Sequence, residues 1–387
     1  MSNPHDMSRA VNLLQALVRI NTCQPAGNES VVVDFLESQF APFEDVVWKQ
    51  RIDHGANRSS LLLRIGPDVP GGLAIIGHLD TVTVGNIDDW KHDPFSGDII
   101  DGTVYGRGSV DMKGGVAIMT DLALALLESR SELKKPLYLV YTADEEKGLT
   151  GVRAIVEAQT LSEIDALIIA EPTNNKVAIA EKGALWFRFV VHGRLAHGSK
   201  PDEGINAVEI AIKIAQYVQE VVASDVEPHA LLGPATASIN RLSGGIMTNV
   251  IPALAEVEVD CRTLPSQDNA KIRKAVEAFV EQLMADTPGL RVETELINDH
   301  PAIGADAEDP FILSVQEAVR ENGYSDAPCG MTYYTDGGFL VPKINVPFVI
   351  MGPGDESLTH QVNEAMDVDS FLAGRQIFED VITDYVM

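Results

Sequence analysis

Apolar positions recur at helical spacing from Asp6 to Leu17, where Val11, Leu14, Leu17 and Val18 share one face; this predicts an amphipathic helix. Asn21–Gly27 is rich in turn formers, and Ser30–Phe40 reads as a second helix. The pattern then becomes one of short, nearly continuous apolar runs: strand Leu73–Ile76, helix Lys113–Glu128, strand Pro136–Ala143 and strand Ala166–Ala170. Runs without alternation suit strands buried on both faces, so an α/β unit with a mostly parallel sheet flanked by helices is predicted.

From about Lys182 the order changes. Strand Ala184–Val191 is followed by helix Gly204–Val221, strands Ala235–Arg241 and Leu254–Arg262, helix Ser266–Ala285 and strand Leu290–Leu296. That order fits an α+β, ferredoxin-like module with helices on one face of an antiparallel sheet. At about 110 residues it is the size of a small domain. The α/β pattern resumes with helix Pro310–Asn322 and strand Val346–Ile350, so residues 182–298 are expected as an insertion in a larger domain built from 1–181 and 299–387.

Composition narrows the function more by exclusion than by indication. The 387 residues are 45% hydrophobic, enough for a substantial core. Against 29 Lys and Arg stand 57 Asp and Glu, a net charge of −28, which argues against nucleic acid and anionic membrane as partners. Cys23, Cys261 and Cys329 have no CxxC spacing, which argues against a disulfide framework or a cysteine zinc site. No apolar run approaches the ~20 residues of a membrane span. Met1–Met7 is polar and lacks a basic region before a long apolar stretch, so no signal peptide is expected and a reducing cytoplasm fits.

Three of the expected strands end in ligand-type residues: His78 and Asp80, then Asp144-Glu145-Glu146, then Glu171. In an open α/β sheet, ligands bind beyond the carboxyl ends of the strands, so parallel neighbours would bring these side chains together. Adjacent Glu145 and Glu146 resist joint ionisation, which a cation would relieve, though an acidic helix start gives the same pattern. In His78-x-Asp80 the imidazole can ligate while the carboxylate holds the other ring N–H; a structural histidine and a turn aspartate are the ordinary alternative. The loop Gly106-Arg107-Gly108-Ser109-Val110-Asp111 opens a helix but has neither nucleotide-binding glycine spacing, and it delivers Asp111, whose two oxygens could bridge two cations. His360 follows Gly352-Pro353-Gly354 and could equally be a surface histidine.

In this order, His78-x-Asp80, Asp111, Glu145-Glu146, Glu171 and His360 resemble the co-catalytic zinc metallopeptidase family of acetylornithine deacetylase, succinyl-diaminopimelate desuccinylase, aminoacylase-1 and glutamate carboxypeptidase. The similarity includes Gly77–Val82, Gly106–Gly115, Asp144–Glu146, Glu171–Thr173, Gly352–His360 and the early Pro25–Glu29. It implies two Zn²⁺ per chain, with Co²⁺ or Mn²⁺ as substitutes. His78 and Glu171 would hold one ion and Glu146 and His360 the other, with Asp111 bridging and Asp80 orienting His78. Glu145 would be the general base towards a metal-activated water.

In 182–298, Val191–Gly198 with Pro201 and Gly204–Ala207 resembles the family's lid and dimerisation motif. There the histidine at the place of His197 steadies the oxyanion in the partner subunit's site. Asn249 and Arg262 resemble residues that grip a substrate carboxylate; without the resemblance, His197 reads as a turn histidine and Arg262 equally as a surface strand charge. Thr332–Phe339 departs from the pattern, with glycine where many relatives carry arginine.

The expected function is hydrolysis of the amide of an N-acyl amino acid with a free carboxylate, by a homodimer. A carboxypeptidase or dipeptidase acting on short peptides is the alternative. Tripeptidase-like relatives often have Asp at the place of Glu171, which favours the first reading or a carboxypeptidase. A metal-dependent binding protein without catalysis is the reading from a different class, and the presence of Glu145 argues against it.

Overall fold

A computed structural model describes residues 4–55, 57–224 and 226–387; the first three residues of the polar Met1–Met7 stretch lie outside them. The chain forms two compact units, one of residues 1–179, 305–329 and 335–387, the other of 180–304 with 330–334.

The first unit is built on a mixed sheet that includes, in order, Val47–Asp53, Ser59–Ile65, Leu137–Thr142, Leu73–His78, Ala166–Ile169 and Phe348–Ile350. The four strands from Leu137–Thr142 to Phe348–Ile350 run parallel, in registers such as Ile76↔Val140, Ile76↔Ile169 and Val349↔Ile168. All four are buried at every position, which is why their sequences show apolar runs and no alternation. The strands ending at His78, Thr142 and Ile169 are therefore parallel neighbours, and the residues that follow them emerge at one edge of the sheet.

Helix Lys113–Ser129 carries Asp111 just before its first turn. Its approach to the sheet depends on Gly115, where a Cβ would stand 2.2 Å from the Ala170 carbonyl oxygen. Midway along, buried Asp121 accepts from Arg9 Nε and Arg375 Nε, both at 2.6 Å, tying this helix to helices Pro4–Arg19 and Val368–Val386. Removing either partner of so buried an ion pair costs about 3–5 kcal/mol, so the helix is firmly seated.

The second unit is a four-stranded antiparallel sheet in the order Thr236–Gly244, Leu254–Thr263, Gly183–His192, Arg291–His300. From the far edge back, these are the fourth, first, third and second strands in chain order, the ferredoxin-like arrangement. Burial alternates along the two central strands. Phe187, Phe189, Val191, Val257 and Val259 form a core with Ile214 and Val218 of helix Ala207–Ala223 and Val276 of helix Asn269–Asp286. Tyr217 and Phe279 stack across the two helices at 3.9 Å. Among the described residues, no helix is long and apolar enough to cross a membrane.

Candidate metal centre

At the strand ends of the first unit, Asp111 lies between two donor pairs. Its Oδ1 is 3.0 Å from His78 Nε2, which is 3.7 Å from Glu171 Oε1. Its Oδ2 is 3.2 Å from His360 Nε2, which is 3.1 Å from Glu146 Oε2. Donors held at about 2.0–2.1 Å by one tetrahedral ion stand about 3.3 Å from each other, close to the separations of each histidine from its two carboxylate neighbours. Donor atoms of His78, Asp111 and Glu146 also fall within 4.8 Å of one another. Oxygen and imidazole nitrogen are borderline-hard donors that suit zinc and its divalent neighbours. Glu146 Oε1 is buried without a hydrogen-bond partner, a lone pair facing no donor. The residues present therefore fit a divalent metal ion, with Asp111 facing a histidine on either side.

The charges of the centre lean on one another. Burial would favour a neutral His78, but Glu171, Asp111 and Glu145 outweigh it and hold the ring's pKa well above its ordinary value. Hydrogen bonds to Asp111 and Glu146 push His360 up to about 10. Burial would raise Asp111, yet its bonds to His360 and His78 hold it below the usual carboxylate range. Burial raises Glu145 and Glu171 well above theirs, and the mutual repulsion of the carboxylates adds to it. The surrounding carboxylates thus bias both imidazoles towards carrying a proton, and the same excess of negative charge would favour a cation here.

Asp80 departs from the expected role. His78 Nδ1 lies 2.9 Å from the Asp80 backbone carbonyl, whereas the Asp80 carboxylate is 3.8 Å away. That carboxylate is taken up elsewhere: Oδ1 accepts the Glu145 N–H at 3.0 Å, and Oδ2 accepts the Glu146 N–H at 3.2 Å and the Gln24 side-chain amide at 2.7 Å. Asp80 thus holds the ring through its main chain and the glutamate pair through its side chain. Behind it, Arg58 donates to Gln24 and to buried Glu29, both at 2.8 Å, and forms an ion pair with Asp144 at 2.8 Å. Gln24 and Arg58 carry no periodic or motif signal, and only the turn geometry brings them here.

Glu145 is 6% exposed beside Glu146 and Glu171. Asp336, the buried first residue of helix Asp336–Ile344, adds a further carboxylate and accepts from Thr142 Oγ1 at 2.5 Å. His197, Asn249 and Arg262 belong to the second unit. His197 is exposed, pairs with Val250 in a two-residue bridge, and its Nδ1 is 2.8 Å from Ser199 Oγ. The Asn249 carbonyl accepts the Gly198 N–H at 2.7 Å. Arg262 pairs with Asp260 at 2.9 Å and lies over the Trp186 ring at 5.7 Å, so its charge already has a carboxylate partner. Asp260 is two positions earlier on the same strand and hence on the same face, a signal present in the sequence.

Imidazole and carboxylate donors gathered beyond the carboxyl ends of a parallel sheet, with a spare buried glutamate beside them, define a metal-dependent hydrolase on an α/β scaffold. The chain belongs to Peptidase family M20/M25/M40, whose model matches residues 74–384. It is 26% identical over 404 residues to a probable succinyl-diaminopimelate desuccinylase of Staphylococcus aureus, covering 97% of each chain. It is 27% identical over 389 residues to an acetylornithine deacetylase of Buchnera aphidicola, again covering 97% of each. Its fold matches that of an M20 family metallo-carboxypeptidase of Sulfolobus solfataricus with a TM-score of 0.77 at 18% identity, over 96% of this chain and 98% of the other. The chain is thus an M20-family hydrolase with a candidate metal centre in its larger unit.

Proposed function

We propose that the protein is a dizinc amidohydrolase that cleaves N-acyl amino acids bearing a free carboxylate, of the acetylornithine deacetylase or succinyl-diaminopimelate desuccinylase type. The observation that carries the reading is Asp111 offering one oxygen to His78 and the other to His360, with Glu145 buried beside both donor sets. His78, Asp111 and Glu171 would hold one ion, and Asp111, Glu146 and His360 the other. When bound, the ions supply Lewis acidity that lowers the pKa of water and polarises the acyl carbonyl. Glu145 accepts a proton from the attacking water as its oxygen bonds to the acyl carbon. Glu145 returns the proton to the amide nitrogen as the carbon–nitrogen bond breaks, leaving a carboxylic acid and a free amine. Asp80 keeps Glu145 and Glu146 in place through their backbone amides.

Full-length relatives named as a desuccinylase and a deacetylase support this substrate class. The test is a panel of N-acetyl and N-succinyl amino acids beside dipeptides and C-terminally free peptides, with zinc content measured on the same preparation. Turnover of the acyl amino acids with about two zinc per chain is expected. Cleavage of peptides alone would move the assignment to a carboxypeptidase or dipeptidase.

The 182–298 module is proposed as a lid and dimerisation domain, with His197 serving the site of a second copy in a homodimer. His197→Ala is then expected to lower kcat by about 10²–10³ while zinc content stays unchanged. Full activity of the wild-type chain in a strictly monomeric preparation would end that assignment.

A further inference from the structure

Glu364 lies four residues after His360 and has no part in the chemistry above. It is fully buried, and its two oxygens meet three donors from a single loop. Oε1 accepts the backbone N–H of Val110 at 2.8 Å and that of Asp111 at 3.1 Å. Oε2 accepts from Arg107 Nη1 at 2.5 Å, and the Glu364 carbonyl accepts the Gly106 N–H at 3.0 Å. Arg107 is 2% exposed, donates a second bond to the Thr83 carbonyl at 3.3 Å and lies over the Trp90 ring at 5.3 Å. The segment that delivers Asp111 is thus folded around one carboxylate. A buried ion pair is tolerable only when its remaining lone pairs are met, and here two main-chain amides meet them. One of those amides is Asp111's own, and the residue accepting it is joined through three intervening positions to His360.

We propose that Glu364, held by Arg107, is a positioning residue that fixes Asp111 and His360 relative to each other and so sets the metal affinity of the centre without touching metal or substrate. The proposal rests on the metal reading given above. The side chain has to be a carboxylate because donors approach it from both sides. A glutamine has one acceptor oxygen, so its NH₂ group would face either Arg107 or the two amides, donor against donor. Outer partners of metal ligands typically change affinity by about 10–100-fold when altered.

The test follows transfer of Zn²⁺ from the loaded protein to a chromophoric chelator. E364Q is expected to surrender zinc at about 10–100-fold lower chelator concentration than the wild type, with E364D recovering part of the loss. Ile382→Ala, a core truncation in the C-terminal helix, is the control: it lowers the melting temperature and leaves zinc transfer unchanged. Should E364Q fail to fold, R107M/E364M removes both charges together and strands neither, while still depriving the Val110 and Asp111 amides of their acceptor. The same loss of zinc is expected from it. Wild-type zinc retention in a folded E364Q or R107M/E364M would overturn the proposal. Failure of both to fold would make Glu364 a residue of the fold rather than of the site and would overturn it too. A wild-type protein that holds no zinc would instead overturn the metal reading itself.

Discussion

Glu145→Gln is expected to abolish nearly all turnover while both zinc ions stay bound. Glutamine matches glutamate in size and hydrogen-bonding reach, so the backbone amide contact to Asp80 and the fold of the 144–146 turn are preserved. What it cannot do is accept a proton from water and return it to a leaving nitrogen. General acid–base groups contribute about 10²–10⁴-fold, and here one group would serve both steps, so a loss towards or beyond the upper end is expected in kcat. KM should change little, because the side chain makes its contribution in the transition state. Steady-state kinetics with metal analysis on one preparation would check this. If zinc is lost along with activity, Glu145 is a ligand and the division of labour with Glu146 is wrong.

Asp111→Asn should do the opposite, removing metal first and activity as a consequence. Asp111 presents one oxygen to each donor pair, His78 with Glu171 and His360 with Glu146. An asparagine keeps one acceptor and turns an NH₂ group towards the other pair. At least one ion should then be lost, and the other should bind more weakly than the 10–100-fold penalty usual for residues behind the ligands. Zinc content per chain, measured after gel filtration, distinguishes the outcomes. Two ions retained at wild-type affinity would show that Asp111 does not bridge.

Much of this centre was legible because its residues sit where strands end, and strand ends are easy to locate when the strands are uniformly apolar. His78, Glu145, Glu146 and Glu171 follow such runs, and the parallel order brings them together. The outer strand Val47–Asp53 was not read from the sequence: Lys49, Gln50, Arg51 and Asp53 break its apolar pattern, and most of its length is partly or fully exposed. Helix Asp336–Ile344 was also missed, since Gly337, Gly338 and Pro342 argue against a helix on propensity. Its start is held by the Thr335 side chain accepting the Gly337 N–H at 3.0 Å, a capping contact that outweighs the poor composition. The role of the Asp80 side chain was hidden for a different reason. Which donor a carboxylate meets depends on the exact path of two turns, and spacing along the chain does not encode that.

The pairing of Arg107 with Glu364 spans 257 positions of sequence, and strand Phe348–Ile350 completes the parallel sheet beside Ala166–Ile169. A chain emerging from the ribosome from its amino end therefore makes the entire ferredoxin-like unit before it makes His360 or Glu364. Until then Asp111 has neither its second imidazole nor the carboxylate that shapes its loop. On the metal reading proposed above, stable metal capture would await the last stage of synthesis, and a chain truncated before His360 would lack that donor.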